Sequence, residues 1–323
     1  MKVLVADKFE AAGLEGLKAL GATVEYHPGL GTEKLPGAIT EHAPEILVVR
    51  STKVPAGVTA EAKGLRVIVR AGSGVDNIDV AAARSRGIKV CNCPGMNAVA
   101  VAELAFGLIL ACDRRIPDQC VAAREGKWNK KEFSKARGLK GTTLAVVGVG
   151  AIGQEVITRG VAFGMRVIAW SRSITEQHAR ALGCEFGGTD TPALHALAKQ
   201  ADVVSVHLPL ADSTKHLFGT EFFGCMKPGA IFVNTSRGPI VDEAALRSAI
   251  QSKGIRAGLD VYEDQPSATE GAWSSATVKL PGVVSTHHCG ASTDQAQMAV
   301  ALEVVRIVRI FKESGRVEHE VGG

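Results

Sequence analysis

Short apolar runs alternate with helical or polar segments along the first hundred residues of the chain. The runs of strand character are Val3–Ala6, Ala22–Tyr26, Ile46–Val49, Leu65–Val69 and Ile88–Cys91. Between the first two of them, Ala11–Leu20 has the pattern of a helix. Because strands that alternate with helices form parallel sheets covered by helices, this part is expected to be a small parallel α/β domain.

A strongly apolar segment, Val99–Cys112, precedes a second alternating region. The segment holds Glu103 and is too short to span a bilayer, so it predicts a buried helix. The later strand candidates are Thr142–Val147, Arg166–Trp170, Val203–Leu208, Ile231–Asn234, Ala257–Val261 and Val283–Ser285. The later helix candidates are Ala179–Leu182, Pro192–Ala198 with Thr191 as N-cap, Asp242–Gln251 opened by an Asp cap and closed near Gly254, and a last helix from the capping box Ser292–Gln295 to about Lys312.

A glycine motif follows the first strand of the second region. Gly148, Gly150 and Gly153 have the spacing G-x-G-x-x-G, with a helix pattern and then another strand behind them. Gly148 permits a tight turn, Gly150 lets the backbone approach a pyrophosphate, and Gly153 lets the helix pack closely on the strand. A pyrophosphate would then lie at the positive end of the helix. The alternative is a βαβ unit without a cofactor, but the strand–turn–helix context favours dinucleotide binding.

The elements and the motif together predict two domains in a chain of 323 residues, of which 46% are apolar. Residues 99–289 are expected to form the dinucleotide-binding domain. Residues 1–98 and 290–323 are expected to form a discontinuous substrate-binding domain, to which the last helix returns.

Composition narrows the classes of partner. The net charge is +4, with both signs scattered and no basic run that would follow a nucleic-acid backbone. The N-terminal apolar run is too short for a signal peptide, and no segment suits a membrane. The chain has seven cysteines, an odd number, and it is long enough to fold without disulfide bonds. These facts indicate reduced thiols and a cytoplasmic protein. Cys91 and Cys93 lack a matching second pair, so core thiols are favoured and no metal site is expected.

Two loops that follow predicted strands carry candidate catalytic groups. Arg237 comes after Ile231–Asn234, where a guanidinium can hold a carboxylate bidentately, although a solvated arginine is the simpler interpretation. His287 and His288 come after the last strand, and a histidine there can act as a general acid or base. Adjacent side chains in extended chain point opposite ways, so at most one of the two faces the crevice.

The chain resembles the D-2-hydroxyacid dehydrogenase family, most of all its D-3-phosphoglycerate dehydrogenase branch. Besides the glycine motif, the matching stretches are Arg50–Val54, Arg70–Asp79, Asn92–Asn97, Ala102–Leu104, Gly126–Trp128, Asn234–Asp242, Asp260–Pro266 and His288–Thr293. The resemblance implies an α/β protein with a Rossmann-type doubly wound nucleotide domain and a smaller flavodoxin-like parallel α/β substrate domain. It also implies a homodimer with its active site in the interdomain cleft, a small 2-hydroxy or 2-oxo acid as substrate, and a form without C-terminal regulatory domains.

The resemblance also assigns roles to residues. Arg237 matches the substrate-binding arginine and His288 the catalytic acid/base, because the Gly290–Thr293 match selects His288 over His287. The residues expected at the substrate are Arg50, Ser73, Gly74, Val75 and Asn97. The residues expected at the cofactor are Gly148, Gly150, Ala151, Ile152, Gly153, Ser171, Arg172, His207, Pro209 and Asp260.

Gln265 stands where the family usually has the glutamate that pairs with the histidine. Glutamine can orient the ring but supplies no charge, so His288 is expected to have a lower pKa than in members with Glu. The formate dehydrogenase branch also has a Gln–His pair, so the change is compatible with activity. A small register shift would instead put Glu263 or Asp264 beside the histidine.

A second departure concerns the cofactor. NAD-preferring members have an aspartate at the end of the second strand, where this chain has Ser171 and Arg172. A hydroxyl followed by a guanidinium suits a 2′-phosphate, so NADP is favoured over NAD. If these are only loop residues, NAD binds.

The expected reaction is reversible hydride transfer at C2 of a D-2-hydroxy acid. Arg50, with Lys130 and Lys131 reaching in from a partner subunit, favours 3-phosphoglycerate and a place in serine biosynthesis, although those lysines are equally typical of a solvated loop. The Ser-Arg pair favours an NADPH-dependent glyoxylate or hydroxypyruvate reductase. A non-catalytic dinucleotide-sensing module is the third alternative, which Gln265 supports and Arg237 and His288 oppose.

Overall fold

The structure is a computed structural model that describes residues 1–60, 62–266 and 270–322. The chain divides into two compact units, which we call unit 1 (Met1–Asn97 with Ala291–Gly323) and unit 2 (Ala98–Gly290). No helix within the described ranges has both the length and the apolar character needed to cross a membrane.

The elements follow one another in strict alternation over much of the chain. The strands are β1 Lys2–Val5, β2 Thr23–Tyr26, β3 Ile46–Val49, β4 Val67–Arg70, β5 Lys89–Asn92, β6 Thr143–Val147, β7 Arg166–Trp170, β8 Glu185–Phe186, β9 Val203–Val206, β10 Ile231–Asn234, β11 Arg256–Leu259 and β12 Val283–Ser285. The helices are α1 Ala11–Ala19, α2 Gly31–His42, α3 Ala56–Ala60, α4 Val80–Ser85, α5 Ala98–Arg114, α6 Ile116–Arg124, α7 Lys130–Phe133, α8 Ala151–Ala162, α9 Glu176–Ala181, α10 Thr191–Gln200, α11 Thr220–Cys225, α12 Glu243–Lys253 and α13 Asp294–Ser314, with a 3₁₀ turn at Gly238–Ile240.

Unit 1 contains a parallel five-stranded sheet in the order β2-β1-β3-β4-β5. This is the strand order of flavodoxin-like domains. Side chains alternate across the sheet, so Val3 and Val5 pack with α1 and α13 on one face, while Leu4 packs with α2 on the other. Both faces are therefore buried, as is usual for a parallel sheet.

Unit 2 contains a parallel seven-stranded sheet in the order β12-β11-β10-β9-β6-β7-β8. Counted within the unit, this is the 3-2-1-4-5-6 order of Rossmann domains with one further strand. β6 pairs with β7 on one side and with β9 on the other, so the topological switch point lies beside β6. The predicted fold class, two parallel α/β domains of Rossmann and flavodoxin type, is confirmed.

The ends of the helices confirm some of the predicted caps and contradict others. Asp242 and Gly254 bound α12 as predicted, with Gly254 in the left-handed region at φ 65°. Thr191 is not the N-cap of α10, because the carboxylate of Asp190 accepts from the Ala193 N–H at 2.8 Å. The predicted capping box of the last helix is also wrong, because Thr293 caps α13 one residue later by accepting from the Ala296 N–H.

Candidate active site

The glycine turn joins β6 to α8. Gly148 has φ +100°, and a Cβ there would lie 2.3 Å from the carbonyl oxygen of His207. A Cβ on Gly153 would lie 1.9 Å from the carbonyl oxygen of Gly148. Outside the adjacent backbone, no described atom lies within 4 Å of the corresponding position on Gly150. The chain's own packing therefore requires Gly148 and Gly153, whereas Gly150 keeps open space above the backbone.

The first turn of α8 faces that open space. Gly150 is the N-cap and makes no side-chain cap, and the first turn contains no acidic residue. The N–H groups of Ala151 and Ile152 are among those for which a helix offers no internal partner. This site suits a dinucleotide pyrophosphate, because it combines N–H donors, the positive end of a helix and the open space that Gly150 leaves above the backbone.

The end of β7 carries the residues expected to set cofactor preference. Arg172 donates from Nη1 to Ser213 Oγ at 2.7 Å, and Ser171 Oγ lies 3.4 Å from Ser173 Oγ. Trp170 donates from Nε1 to the carbonyl oxygen of Asp190 at 2.8 Å. A cavity of about 220 Å³ lies here, lined among others by Trp170, Arg172, Asp190 and Ser213. A guanidinium and hydroxyl groups thus stand where NAD-preferring members place a carboxylate.

His207 lies at the end of β9, beside the glycine turn, and exposed Pro209 follows it. Its Nε2 is 2.8 Å from Ser205 Oγ, and burial lowers the pKa of His207 to about 3. The ring is therefore neutral near pH 7. Its Nδ1 is buried and has no hydrogen-bond partner among the described residues. A buried polar atom without a partner next to the expected pyrophosphate site is available to a bound cofactor.

The loop that carries His288 is held by Asp260, a buried residue directly after β11. The Asp260 carboxylate accepts from Thr286 Oγ1 at 2.6 Å and from the N–H groups of Cys289 and Gly290, each at 2.9 Å. The Asp260 carbonyl oxygen accepts from the His288 N–H at 2.8 Å. His288 itself has φ 51°, in the left-handed region that non-glycine residues rarely adopt. Asp260 therefore fixes the conformation from which the imidazole projects.

Gln265 contacts the imidazole of His288. Its Nε2 lies 2.7 Å from His288 Nδ1, while its Oε1 accepts from the Tyr262 N–H at 3.3 Å. Because a backbone N–H can only donate, it fixes the amide with the NH₂ group towards the ring. An NH₂ donor at Nδ1 favours the neutral tautomer with its proton on Nε2.

The two acidic residues proposed as alternative partners of the ring, Glu263 and Asp264, directly precede Gln265. The Glu263 carboxylate lies 2.8 Å from Nε2 of His216, and Asp264 is exposed. His287 is exposed as well.

Arg237 follows β10 on a turn built by Asn234. The side chain of Asn234 accepts from the Ser236 N–H at 3.0 Å and donates to the Arg237 carbonyl oxygen at 2.9 Å. Half-buried Arg237 donates from Nη1 to the Ser236 carbonyl oxygen at 2.8 Å. A Cβ on Gly238 would lie 2.0 Å from the carbonyl carbon of Tyr262. The loop of Arg237 therefore packs backbone to backbone against the loop that carries Gln265.

Within unit 1, two of the predicted substrate residues, Arg50 and Asn97, line one pocket, and a third, Ser73, contacts Asn97. The Asp7 carboxylate accepts from the N–H groups of Arg50, Ser51 and Thr52, which sets the start of the Arg50 loop. Arg50 donates from Nη1 to Gln297 Oε1 at 2.7 Å. Ser73 Oγ donates to Asn97 Oδ1 at 2.7 Å. The residues of unit 1 that line a common pocket include Lys8, Arg50, Arg70, Gly72, Asn97 and Gln297.

Several contributors were not identified from the sequence. Asp7, Ser205, Ser213 and the backbone of Tyr262 each act through contacts with residues that the sequence analysis had identified. The Asp7–Arg50 and Arg172–Ser213 contacts join residues more than 40 positions apart in the chain. No local spacing signals such contacts.

Unit 2 has the features of a nicotinamide-dinucleotide-binding dehydrogenase. It combines a Rossmann-type sheet with a glycine turn at the switch point, and the loops after β10, β11 and β12 carry Arg237, Gln265 and His288. The family model for "D-isomer specific 2-hydroxyacid dehydrogenase, NAD binding domain" matches residues 106–290. The chain therefore belongs to the D-isomer specific 2-hydroxyacid dehydrogenase family, as the resemblance predicted.

Curated relatives share most of this chain. It is 46% identical over 273 residues to a hydroxypyruvate reductase of Thermotoga maritima, covering 84% of this chain and 85% of the relative. It is 40% identical over 315 residues to a D-3-phosphoglycerate dehydrogenase of Methanocaldococcus jannaschii, covering 96% of this chain. The match spans only 58% of that longer relative.

A solved structure agrees in fold. A protein from Thermus thermophilus superposes with a TM-score of 0.87 at 34% identity, over 99% of this chain and 100% of the other. The named relatives are thus a dehydrogenase and a reductase that share this chain's family, and the fold extends over its whole length.

Proposed function

We propose that this chain is an NAD(P)-dependent dehydrogenase that interconverts a D-2-hydroxy acid and its 2-oxo acid, similar to 3-phosphoglycerate dehydrogenase. The contact of 2.7 Å between Gln265 and His288 carries the proposal, because it joins the imidazole to the Gln265 loop, against which the loop of Arg237 packs. Family membership supports the same reaction class.

A nicotinamide dinucleotide held at the glycine turn Gly148–Gly153 would supply or accept the hydride. Arg237 binds the substrate carboxylate and polarises the adjacent carbonyl group. The amides of Ser73, Gly74 and Val75 are proposed to bind the same carboxylate. In reduction, the imidazolium form of His288 gives its Nε2 proton to the substrate oxygen and becomes the neutral ring with its proton on Nδ1, and in oxidation that neutral ring takes the proton back. Both forms carry a proton on Nδ1, so during turnover the Gln265 amide has to present its Oε1 to the ring instead of the NH₂ group that faces it in the structure. Because Gln265 is neutral, the imidazolium lacks the charge stabilisation that a glutamate would give.

For the substrate, we propose a 2-hydroxy acid with a second anionic group. The pocket of unit 1 is lined by three cationic side chains, Lys8, Arg50 and Arg70, together with Asn97 and one acidic side chain, Glu10. Clustered guanidinium and ammonium groups suit a phosphate, which supports 3-phosphoglycerate and a place in serine biosynthesis. Lys130 and Lys131 of a second subunit remain proposed contributors. Hydroxypyruvate or glyoxylate is the second candidate, favoured by the 46% identical reductase.

For the cofactor, we propose a preference for NADP. Arg172 is exposed and bonded to Ser213 at the mouth of a cavity of about 220 Å³, with Ser171 and Ser173 beside it. A bidentate guanidinium with neighbouring hydroxyl groups stabilises a phosphate monoester. The ratio of kcat/KM for NADPH and NADH tests this, and similar values for both would oppose it.

We also propose a homodimer formed through α6 and α7. Trp128 is 90% exposed and Ile116 45%, and both line a surface depression of about 570 Å³ with Cys120 and Phe133. Large exposed apolar groups of this kind mark interfaces. Sedimentation of the wild type and of Trp128→Lys distinguishes a dimer from a monomer. A cytoplasmic location remains a proposal, consistent with seven free cysteines.

The decisive experiment is turnover of NADPH and NADH with a panel of 2-oxo acids, with His288→Ala as the control. The panel includes phosphohydroxypyruvate, hydroxypyruvate and glyoxylate. The proposal expects turnover that falls by about 10²–10⁴-fold in His288→Ala, as is typical for loss of a general acid, without loss of cofactor binding. Tight cofactor binding without turnover on any acid would favour a dinucleotide-sensing module.

A further inference from the structure

Three potential metal ligands, none of them among the residues assigned to the reaction, meet at one edge of unit 1. β2 is the edge strand of the five-stranded sheet, and it pairs only with β1 among the described strands. Glu25 lies within β2, and His27 follows it in extended continuation, with its N–H bonded to the Val5 carbonyl oxygen. Residues two apart in extended chain share a face, so the two side chains point the same way.

The third side chain comes from α2, which covers that face. Leu4 pairs with Glu25 across β1 and β2, and Leu4 packs with Leu35 and Ile39 of α2. His42 lies three residues beyond Ile39 on the same side of the helix, in the last turn. The packed face of α2 therefore ends in an imidazole that is directed at the edge strand.

The distances suit a common ion. One ligand atom from each of Glu25, His27 and His42 lies within 4.8 Å of the others, and all three residues are half-buried. The two imidazole centroids are 4.8 Å apart. Two imidazoles on one tetrahedral zinc, with Zn–N bonds of about 2.0–2.1 Å, have their centroids about 5 Å apart. The spacing of the rings thus already matches that of two histidines on one metal.

The chemistry of the three groups narrows the ion. Two imidazoles and one carboxylate suit Zn²⁺ and similar transition metals, whereas Ca²⁺ and Mg²⁺ prefer oxygen ligands alone. The C-terminal end of α2 carries partial negative charge, which favours a bound cation. The ammonium group of Lys2 already contacts this helix end, because its Nζ donates to the His42 carbonyl oxygen at 3.3 Å. His42 Nδ1 lies 3.8 Å from Glu25 Oε2, so the carboxylate and the imidazole are already neighbours.

We propose that Glu25, His27 and His42 form a zinc site in which water completes a tetrahedral shell. The bound ion ties the edge strand β2 to the end of α2 and stabilises unit 1. The site lies outside the residues assigned to hydride transfer, so the proposal does not depend on the proposed function.

Isothermal titration of the untagged full chain with ZnCl₂ tests the site, with Co²⁺ absorption as a probe of tetrahedral geometry. The wild type is expected to bind one Zn²⁺ through this site, with Co²⁺ bands typical of tetrahedral coordination. His27→Ala and His42→Ala are each expected to weaken that binding at least tenfold. Glu25→Gln preserves side-chain size and is expected to weaken it as well. His178→Ala, which changes an exposed histidine of unit 2, is the matched control and leaves affinity unchanged.

Two results would overturn the proposal. One is equal zinc affinity in the wild type and in folded His27→Ala and Glu25→Gln, which would place any bound ion elsewhere. The other is wild-type binding only at millimolar Zn²⁺. Circular dichroism confirms that each variant is folded. A zinc-dependent rise in melting temperature that disappears in His27→Ala would show that the ion stabilises the protein.

Discussion

The carboxylate of Asp260 accepts the N–H of Gly290 at 2.9 Å and thereby fixes the far end of the loop that carries His288. The same carboxylate accepts from Thr286 and from the Cys289 N–H. Asp260 is 1% exposed, so loss of any of these hydrogen bonds would leave a buried polar group without a partner and destabilise the fold.

Asp260→Asn is expected to misplace the imidazole. The new NH₂ group faces a backbone N–H or the Thr286 hydroxyl. Two buried donors that face each other leave a hydrogen bond unmade, which lowers the free energy of unfolding by about 1–3 kcal/mol. We expect kcat to fall at least tenfold and the free energy of unfolding to decrease, both measured on the same preparation. Asp264→Asn alters an exposed acid nearby and should change neither quantity. Unchanged kcat in Asp260→Asn would contradict the positioning role.

Gln265→Glu is expected to raise the pKa of His288, because a carboxylate beside Nδ1 stabilises the imidazolium. In the direction of reduction the protonated ring donates, so activity persists to higher pH. We therefore expect the basic limb of the kcat/KM profile to move upward by about one pH unit, equivalent to about 1.4 kcal/mol. An unmoved limb would show that Gln265 does not set the protonation of the ring.

The glycine turn allows a matched pair of substitutions. Gly150→Ala adds a methyl group in open space, so the midpoint of urea unfolding should stay close to that of the wild type while cofactor affinity falls at least tenfold. Gly153→Ala drives a methyl group to 1.9 Å from the Gly148 carbonyl oxygen, so the protein itself should lose stability. Fluorescence titration with NADPH and urea unfolding separate the two effects. Equal loss of stability in both variants would oppose a ligand role for the space above Gly150.

Arg172→Asp is expected to reverse the cofactor preference. A carboxylate there repels a 2′-phosphate and can accept from the ribose hydroxyl groups, so KM for NADPH should rise at least tenfold while KM for NADH stays level or falls. Arg180→Ala, a change of another exposed arginine, is the control. If both cofactors weaken equally, the guanidinium has no part in discrimination.

His207 is expected to make stability depend on pH. Its pKa is lowered to about 3 from 6.5, so between these values the unfolded chain binds a proton that the folded chain does not. Stability should then fall on acidification through this range, by at most about 1.4 kcal/mol per pH unit. His207→Gln should flatten the slope of unfolding free energy between about pH 6 and pH 4. Parallel slopes in the wild type and His207→Gln would contradict the burial argument, and His178→Gln serves as control.

Local chemistry predicted those features of the fold that depend on neighbouring residues. Strands such as Ile231–Asn234 and the caps of α12 follow from apolar runs, an aspartate and a glycine. That strand was predicted to the residue, and the helix was predicted to close near Gly254, which is its C-cap. The start of α10 was misjudged because Asp190 and Thr191 are both good caps, and only the backbone conformation decides between them. The family resemblance gave the candidate catalytic residues.

The supporting contacts of the site were beyond sequence reasoning. Asp7 beneath Arg50 and Ser213 beside Arg172 depend on the register of distant loops. The orientation of the Gln265 amide depends on the Tyr262 N–H, which every residue except proline possesses. Such a donor leaves no trace in composition or spacing.

The contact between Gly238 and the Tyr262 backbone leaves no side chain between the two loops. An insertion in either loop would therefore displace its neighbour, so that Arg237 and Gln265, the residue that contacts the His288 ring, would shift together. We therefore expect substitutions outside these two loops to change substrate preference with less disturbance of the catalytic residues. The lining of the unit 1 pocket, formed by separate side chains such as Lys8 and Gln297, is where we expect new substrate preferences to arise.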